Sequence, residues 1–233
     1  MVLPVRAAGH RRPICIFVVF SLRSPEPRNE QGLKEYFGSV WWHLADREVA
    51  GLVGVCLLTF VILFGPQLSY LPILMNDRFD APTYVIGGVL SGASLTSALV
   101  SSKLGRLTGR FSEKALVRCA FLLYAAGLTL VAVTPTLLLL LIPLVLFGVA
   151  QGINLPNVFS LLNAHAPNEN RGAFMATNGM ALHTGQTVGP LLMASLVGTL
   201  GATGAYLATA VIAPVATLLR SSRCVRGEVR APR

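Results

Sequence analysis

Six long apolar stretches restrict this chain to very few folds. Each is close to the roughly 20 residues that an α-helix needs to cross a bilayer. None of them carries an Asp or Glu in its interior. Because lipid offers the backbone no hydrogen-bond partner, segments of this kind must be helical. The sequence therefore predicts an all-α membrane protein with six transmembrane helices, at residues 48–74, 83–102, 115–133, 136–162, 172–197 and 203–219.

The basic residues are placed on one predicted side of the membrane. The formal net charge is +9, a value that is also found in nucleic-acid-binding proteins. Here, however, every Lys and Arg except Arg78 lies before the first span, in or beside the loop between the second and third spans, at Arg171, or after the last span. This asymmetry is the positive-inside pattern. It predicts a multi-pass plasma-membrane protein with both termini in the cytoplasm, surrounded by lipid and without a nucleic acid partner.

The regions outside the spans differ from the bundle in composition. Residues 1–46 are expected to form a cytoplasmic connector, in which the apolar segment 14–22 is too short to span. An amphipathic helix with Trp41 and Trp42 at the membrane interface is expected to follow it. We assign residues 47–220 to the six-helix bundle and residues 221–233 to a basic cytoplasmic tail.

Three segments resemble the C-terminal half of a major facilitator superfamily transporter. A basic, proline-containing connector runs into LADREVAGLVGVCLLTFVILFGPQLSYLPILMNDRFDAPTYVIGGVLSG. The loop SKLGRLTGRF is similar to the G-x-x-x-D-R-x-G-R loop of the family, and APNENRGAFMATNGMALHTGQTVGPLL resembles a helix of its drug-efflux branch. In the loop only Gly109 and Arg110 match squarely, since Ser102, Arg106 and Leu107 replace the first glycine, the acid and the first basic residue of the motif.

The resemblance implies an architecture and an activity. The family fold has twelve helices, and each half is a 3+3 inverted repeat. The chain is therefore expected to be a truncated, C-terminal six-helix half, either a gene fragment, a split-gene product or a true half-size protein. The implied activity is secondary active efflux of a small organic solute or drug by alternating access, as a proton-coupled antiporter. The expected partner is an N-terminal half or a second copy, and the alternatives are a homodimeric half-transporter or a non-transporting scaffold or inactive fragment.

Amide side chains recur inside the fourth span. Gln151, Asn154 and Asn157 follow one another at intervals of three residues. In the resembled family this helix borders the central cavity, as does the first span, where Gln67 and Tyr70 lie at i and i+3. Such side chains can hydrogen-bond a solute or join helices to each other, and the sequence leaves both roles open.

A histidine lies near the middle of the fifth span. His183 is about 16 Å along the helix from its predicted start, and Gln186 is one turn further on the same face, while Asn178 precedes it. A polar group is costly in hydrocarbon, so this face is expected to meet protein or water. His183 is then either a proton carrier or substrate contact, or a neutral histidine bonded to another helix. The resemblance places this helix at the interface between the two halves.

Three G-x-x-x-G pairs within the spans predict close helix packing, since small residues let membrane helices approach. They are Gly88 with Gly92, Gly148 with Gly152, and Gly185 with Gly189. The sequence contains no nucleotide-binding loop, no nucleophile elbow and no zinc-protease motif. It therefore predicts a protein that is not an enzyme and that has no cofactor and no metal site.

Overall fold

The computed structural model describes residues 47–165 and 171–224, which contain only helical regular structure. The predicted connector 1–46 and the end of the basic tail lie outside the described residues. The elements are Arg47–Ile62, a π-helix at Leu63–Tyr70, Leu71–Phe79, Thr83–Ser102, the short Leu104–Thr108, Glu113–Val133, Leu141–His165 and Arg171–Cys224.

These elements form six membrane crossings. Five helices are long and apolar enough to cross a membrane, and the last of them, Met175–Pro214, has 40 residues. A straight helix of that length would measure about 60 Å, twice the hydrocarbon thickness of a bilayer. Gly201 breaks it with φ 71 and ψ 171, a conformation that is essentially restricted to glycine. We therefore number the spans from one to six, with residues 47–79 as the first and with the fifth and sixth meeting at Gly201.

Several span boundaries differ from the sequence prediction, and two of them have a clear physical cause. The fourth span begins at Leu141 instead of residue 136, because residues 137–140 form turns. Pro143 lies in the first turn of this helix, where its missing N–H leaves no hydrogen bond unmade. The first span continues to Phe79 instead of residue 74 and ends at Asp80, whose φ of 48 closes the helix. Polar side chains therefore extend this helix by about one turn beyond its apolar part.

The spans pack in two equivalent pairs. A Cβ added at Gly148 would lie 2.6 Å from the Ala93 carbonyl oxygen, and one added at Gly152 would lie 2.5 Å from that of Ser97. Residue numbers rise together on both sides of this contact, so spans two and four run parallel. The two backbones touch because neither glycine has a side chain.

The second pair joins spans one and five in the same manner. A Cβ at Gly185 would lie 2.6 Å from the Leu57 carbonyl oxygen, and one at Gly189 would lie 2.8 Å from that of Val61. These two helices are also parallel. In a 3+3 repeat, span one corresponds to span four and span five corresponds to span two. The pair one–five is therefore the counterpart of the pair four–two. The contacts thus follow the 3+3 inverted repeat, and the fold confirms the predicted all-α membrane architecture.

A wide helical turn interrupts the first span. In the π-helix Leu63–Tyr70 the Ser69 hydroxyl donates to the Phe64 carbonyl oxygen, five residues back, at 2.7 Å. Pro66 lies inside this segment and cannot donate a backbone hydrogen bond. The Pro66 carbonyl oxygen accepts a hydrogen bond from the Tyr206 hydroxyl at 2.8 Å. The sixth span therefore fastens the first span at its irregular turn, and π-turns are frequent at functional sites.

Candidate functional site

The fourth span places one amide at a junction between helices. Asn154 is fully buried, and its Nδ2 donates to Thr59 Oγ1 in the first span at 2.7 Å. The Thr59 hydroxyl donates in turn to the Val55 carbonyl oxygen at 2.8 Å. This chain of two bonds connects the fourth span to the backbone of the first. The Oδ1 of Asn154 has no hydrogen-bond partner in the described structure.

The third span brings a tyrosine to the same point. The Tyr124 side chain is buried beside Asn154, and its ring contacts the rings of Phe121 and Phe147 with centroids 5.9 Å away in each case. Its hydroxyl, like Asn154 Oδ1, makes no hydrogen bond of good geometry. Thr59, Asn154 and Tyr124 therefore form an uncharged polar cluster where three spans meet. We call these three residues the amide junction.

Neither Thr59 nor Tyr124 was selected from the sequence. Both lie in apolar runs, where a single threonine or tyrosine is ordinary. A threonine in a membrane helix commonly bonds to its own backbone four residues back, as Thr59 does. The sequence indicates only that a buried amide needs a hydrogen-bond partner on another helix. It does not indicate which residue is that partner.

The other predicted amides are also inside the bundle, and Gln151 is half-buried. Asn157 is 1% exposed, and its Nδ2 donates within its own helix to the Ile153 carbonyl oxygen at 2.8 Å. Gln67 and Asn178 are each 4% exposed. In Asn157, Gln67 and Asn178 the side-chain amide oxygen is buried without a partner among the described residues. A buried unpaired acceptor costs free energy unless water, solute or a rearranged neighbour satisfies it.

Tyr70 lies outside this group. It is half-buried beside a cavity of about 290 Å³ between the first span and the ends of spans five and six. Asp77 and Arg78 line the same cavity, and the buried Tyr206 forms part of its wall. The structure therefore separates Tyr70 from the amide junction, although the sequence grouped it with Gln67.

The histidine of the fifth span faces away from the described chain. His183 is exposed, and its Nδ1 lies 3.1 Å from Gln186 Oε1 on the next turn. Thr187 donates to the His183 carbonyl oxygen at 3.0 Å. Asn178 and Gly185, on the opposite side of the same helix, are covered by the bundle. The polar face with His183 is thus not covered by the described chain, although it lies near the middle of the membrane.

The remaining predicted residues are a glycine pair in the second span and two residues in the loop that follows it. A Cβ added at Gly88 or Gly92 would meet no atom of the described structure within 4 Å, so any packing partner for this pair lies outside the described residues. Gly109 and Arg110 lie exposed in the loop between the second and third spans. Among the described residues no group of three or more His, Cys, Asp or Glu side chains is arranged to hold a metal ion.

Comparison with known proteins gives the chain a clear family context. The family model described as Major Facilitator Superfamily matches residues 52–226. Two curated relatives, each called multidrug resistance protein B homolog, come from two strains of Mycobacterium tuberculosis. Each is 28% identical over 186 residues, covering 76% of this chain but only 32% of the relative. The chain therefore spans about a third of the length of these relatives.

A solved structure shows a similar fold. The crystal structure of the human organic anion transporter TETRAN superposes with a TM-score of 0.67 at 23% sequence identity. The match covers 75% of this chain and 41% of that one. At this level of identity the likeness concerns the fold alone, and the matched part is less than half of that protein.

Proposed function

The chain belongs to the major facilitator superfamily, and from this premise we propose that it is the C-terminal six-helix half of a secondary transporter. Membership of a transporter family agrees with the prediction that the protein is not an enzyme. In the proposed mechanism this bundle rocks against a second bundle around a solute cavity, which opens to one side of the membrane at a time. The greater length of the matched relatives supports a second bundle.

The observation that carries this proposal is the amide junction and its unpaired oxygen. Asn154 is fully buried, its Nδ2 is bonded to Thr59, and its Oδ1 has only the neighbouring Tyr124 hydroxyl beside it, without good hydrogen-bond geometry. A group that serves only to join helices is normally satisfied at both ends. An acceptor held open in the bundle is suited to a donor that arrives with a solute or with a change of helix packing. We therefore assign solute contact to Asn154, with Gln151 and Asn157 on the same helix.

The solute class follows from the lack of charge in the spans. No Asp, Glu, Lys or Arg lies at mid-membrane depth in this sequence. Amides and hydroxyls among apolar residues accept varied organic molecules, whereas a charged site would select strongly by charge. The matched relatives are called multidrug resistance protein B homologs, which agrees with this, so we propose efflux of small organic solutes or drugs.

Proton coupling requires a titratable group inside the membrane. Of the residues at mid-depth only His183 meets this condition, and it is exposed on the fifth span. We propose that a second half, or a second copy of the chain, covers this face together with Gly88 and Gly92. The proton is then carried by His183 or by an acidic side chain of that second half. The positive-inside pattern supports a plasma-membrane location with both termini cytoplasmic.

Solute binding tests the proposal without requiring a complete transporter. Ethidium binding to the purified chain in mild detergent is measured by fluorescence polarisation, and the mass of the complex by light scattering. Asn154→Leu keeps the branched shape of the side chain but removes the amide. It should weaken ethidium binding about fivefold, because one hydrogen bond contributes about 1 kcal/mol. The control Ser94→Ala removes an exposed hydroxyl that bonds only to its own helix, and it should bind as the original does.

The binding, mass and transport measurements together separate the candidate functions. Binding together with a dimeric mass, and ethidium movement in vesicles under a pH gradient, would identify a homodimeric half-transporter. A monomer that binds ethidium but does not transport it would be identified as half of a larger transporter. If Asn154→Leu and Ser94→Ala bind ethidium as well as the original chain, the assignment of Asn154 is wrong. A chain that binds no solute at all would be a scaffold or an inactive fragment.

A further inference from the structure

A short helix connects the second and third spans and packs against the bundle through its buried leucine. Leu104–Thr108 connects helices that end at Ser102 and begin at Glu113, so it lies where the chain leaves the bilayer. Leu104 is 9% exposed and packs in a small cluster with Leu116 and Ala120. This anchor fixes the helix to the third span. The residues on its other side are consequently held at the membrane surface.

Two arginines line a groove on that outer side. The groove has a volume of about 500 Å³, and its walls include Gly105, Arg106, Gly109, Arg110 and Phe111. Both arginines are exposed. The two glycines leave the space between the guanidinium stems open. Phe111 is 56% exposed, an unusual position for a large apolar side chain unless it meets lipid.

The charge of this loop is almost entirely positive. The only acidic residue between Lys103 and Arg118 is Glu113, whose Oε1 accepts from the Ser160 hydroxyl at 3.1 Å. The carboxylate is thereby directed towards the end of the fourth span. The side chains along this segment that carry positive charge are Lys103, Arg106, Arg110, Lys114 and Arg118. A ligand that enters the groove meets two guanidinium groups and a predominantly cationic rim.

We propose that this groove binds the phosphate of an anionic phospholipid. Arginine presents a planar set of donors that matches phosphate oxygens in pairs. Basic pockets beside membrane helices attract anionic headgroups at the surface of the leaflet. Phe111 then lies among the acyl chains while Arg106 and Arg110 hold the headgroup. Phosphatidylglycerol fulfils both requirements, whereas phosphatidylcholine offsets its phosphate with a fixed positive charge.

Native mass spectrometry of the full chain tests this site, since it resolves each phospholipid that stays bound to the protein. The purified protein is titrated in detergent with phosphatidylglycerol or with phosphatidylcholine of the same acyl chains. We expect at least tenfold tighter binding of phosphatidylglycerol. The double variant Arg106→Gln with Arg110→Gln should reduce its affinity about 100-fold, because each direct charge-assisted hydrogen-bond contact to the phosphate contributes about tenfold.

A matched variant distinguishes a site from general attraction. Lys103→Gln with Arg118→Gln removes the same charge from the same loop but leaves the groove lining intact, so affinity should fall less than about threefold. Arg106→Lys with Arg110→Lys keeps the charge but loses the paired geometry, and an intermediate loss is expected. Equal losses in the two glutamine variants would overturn the proposal in favour of diffuse attraction. Displacement of phosphatidylglycerol by millimolar inorganic phosphate would overturn it in favour of a free-anion site.

Discussion

Two glycines with the same sequence context are predicted to respond oppositely to alanine. A Cβ at Gly152 would lie 2.5 Å from the Ser97 carbonyl oxygen and 2.9 Å from the Val100 Cβ. At Gly88 it would meet nothing within 4 Å. Both are interior helix positions, so the gain in helix propensity from glycine to alanine, up to about 1 kcal/mol, is common to both. The difference between the two variants therefore isolates packing between spans two and four.

The magnitude follows from how far the helices must move. Ordinary contact begins at 3.4 Å, so Gly152→Ala requires the second and fourth spans to separate by roughly 0.9 Å, since no rotamer change relieves a clash with a backbone oxygen. A gap of that size forfeits a quarter to half of the dispersion energy along the contact. Overpacking of this kind costs about 1–3 kcal/mol. We expect Gly152→Ala to be less stable than Gly88→Ala by about that amount.

The assay is reversible unfolding of each variant in mixed micelles, with the free energy of unfolding taken from the sodium dodecyl sulfate titration. Equal stability of the two variants would refute the packing of span four on span two through Gly152. Gly88→Ala also reports on the uncovered face. If it leaves the stability of the isolated chain unchanged but abolishes dimerisation or transport, then Gly88 packs against the second half.

Three further predictions use the same unfolding assay. Gly201→Ala should cost about 1–3 kcal/mol, because the φ of 71 and ψ of 171 at this break are strained for any residue with a Cβ; an unchanged stability would mean that spans five and six can meet in another conformation. Tyr206→Phe should cost about 1 kcal/mol, since the buried Pro66 carbonyl oxygen loses one of its two donors and keeps only the Leu71 N–H; no loss would show that the tyrosine bond does not fasten the π-turn. Asn154→Leu and Thr59→Val should each destabilise the chain, and their double variant should show a coupling of about 0.6 kcal/mol. Strictly additive losses would indicate that the 2.7 Å bond between them is not made in the membrane.

The sequence by itself determined the membrane class, the helical content and the approximate position of every crossing. The reason is local, because a long apolar segment in lipid has no choice but to satisfy its own backbone. Asn154, Asn157, Gln67 and Asn178, which the sequence singled out, are buried in the structure, as the cost of an unpaired amide facing hydrocarbon leads one to expect. Their contact with a solute stays a prediction. The break between the last two spans was likewise visible as a glycine-rich stretch.

Only the tertiary structure decided which face of each helix is covered. In lipid both faces of a span are apolar, so hydropathy does not distinguish a packed face from an exposed one. Gly88 and Gly152 therefore look alike in sequence, although one is open and the other touches a backbone. Thr59 and Asn154 lie 95 residues apart, and no local pattern links them. The pairing of the spans, set by the contacts that the whole bundle can make at once, created the amide junction and left the His183 face uncovered.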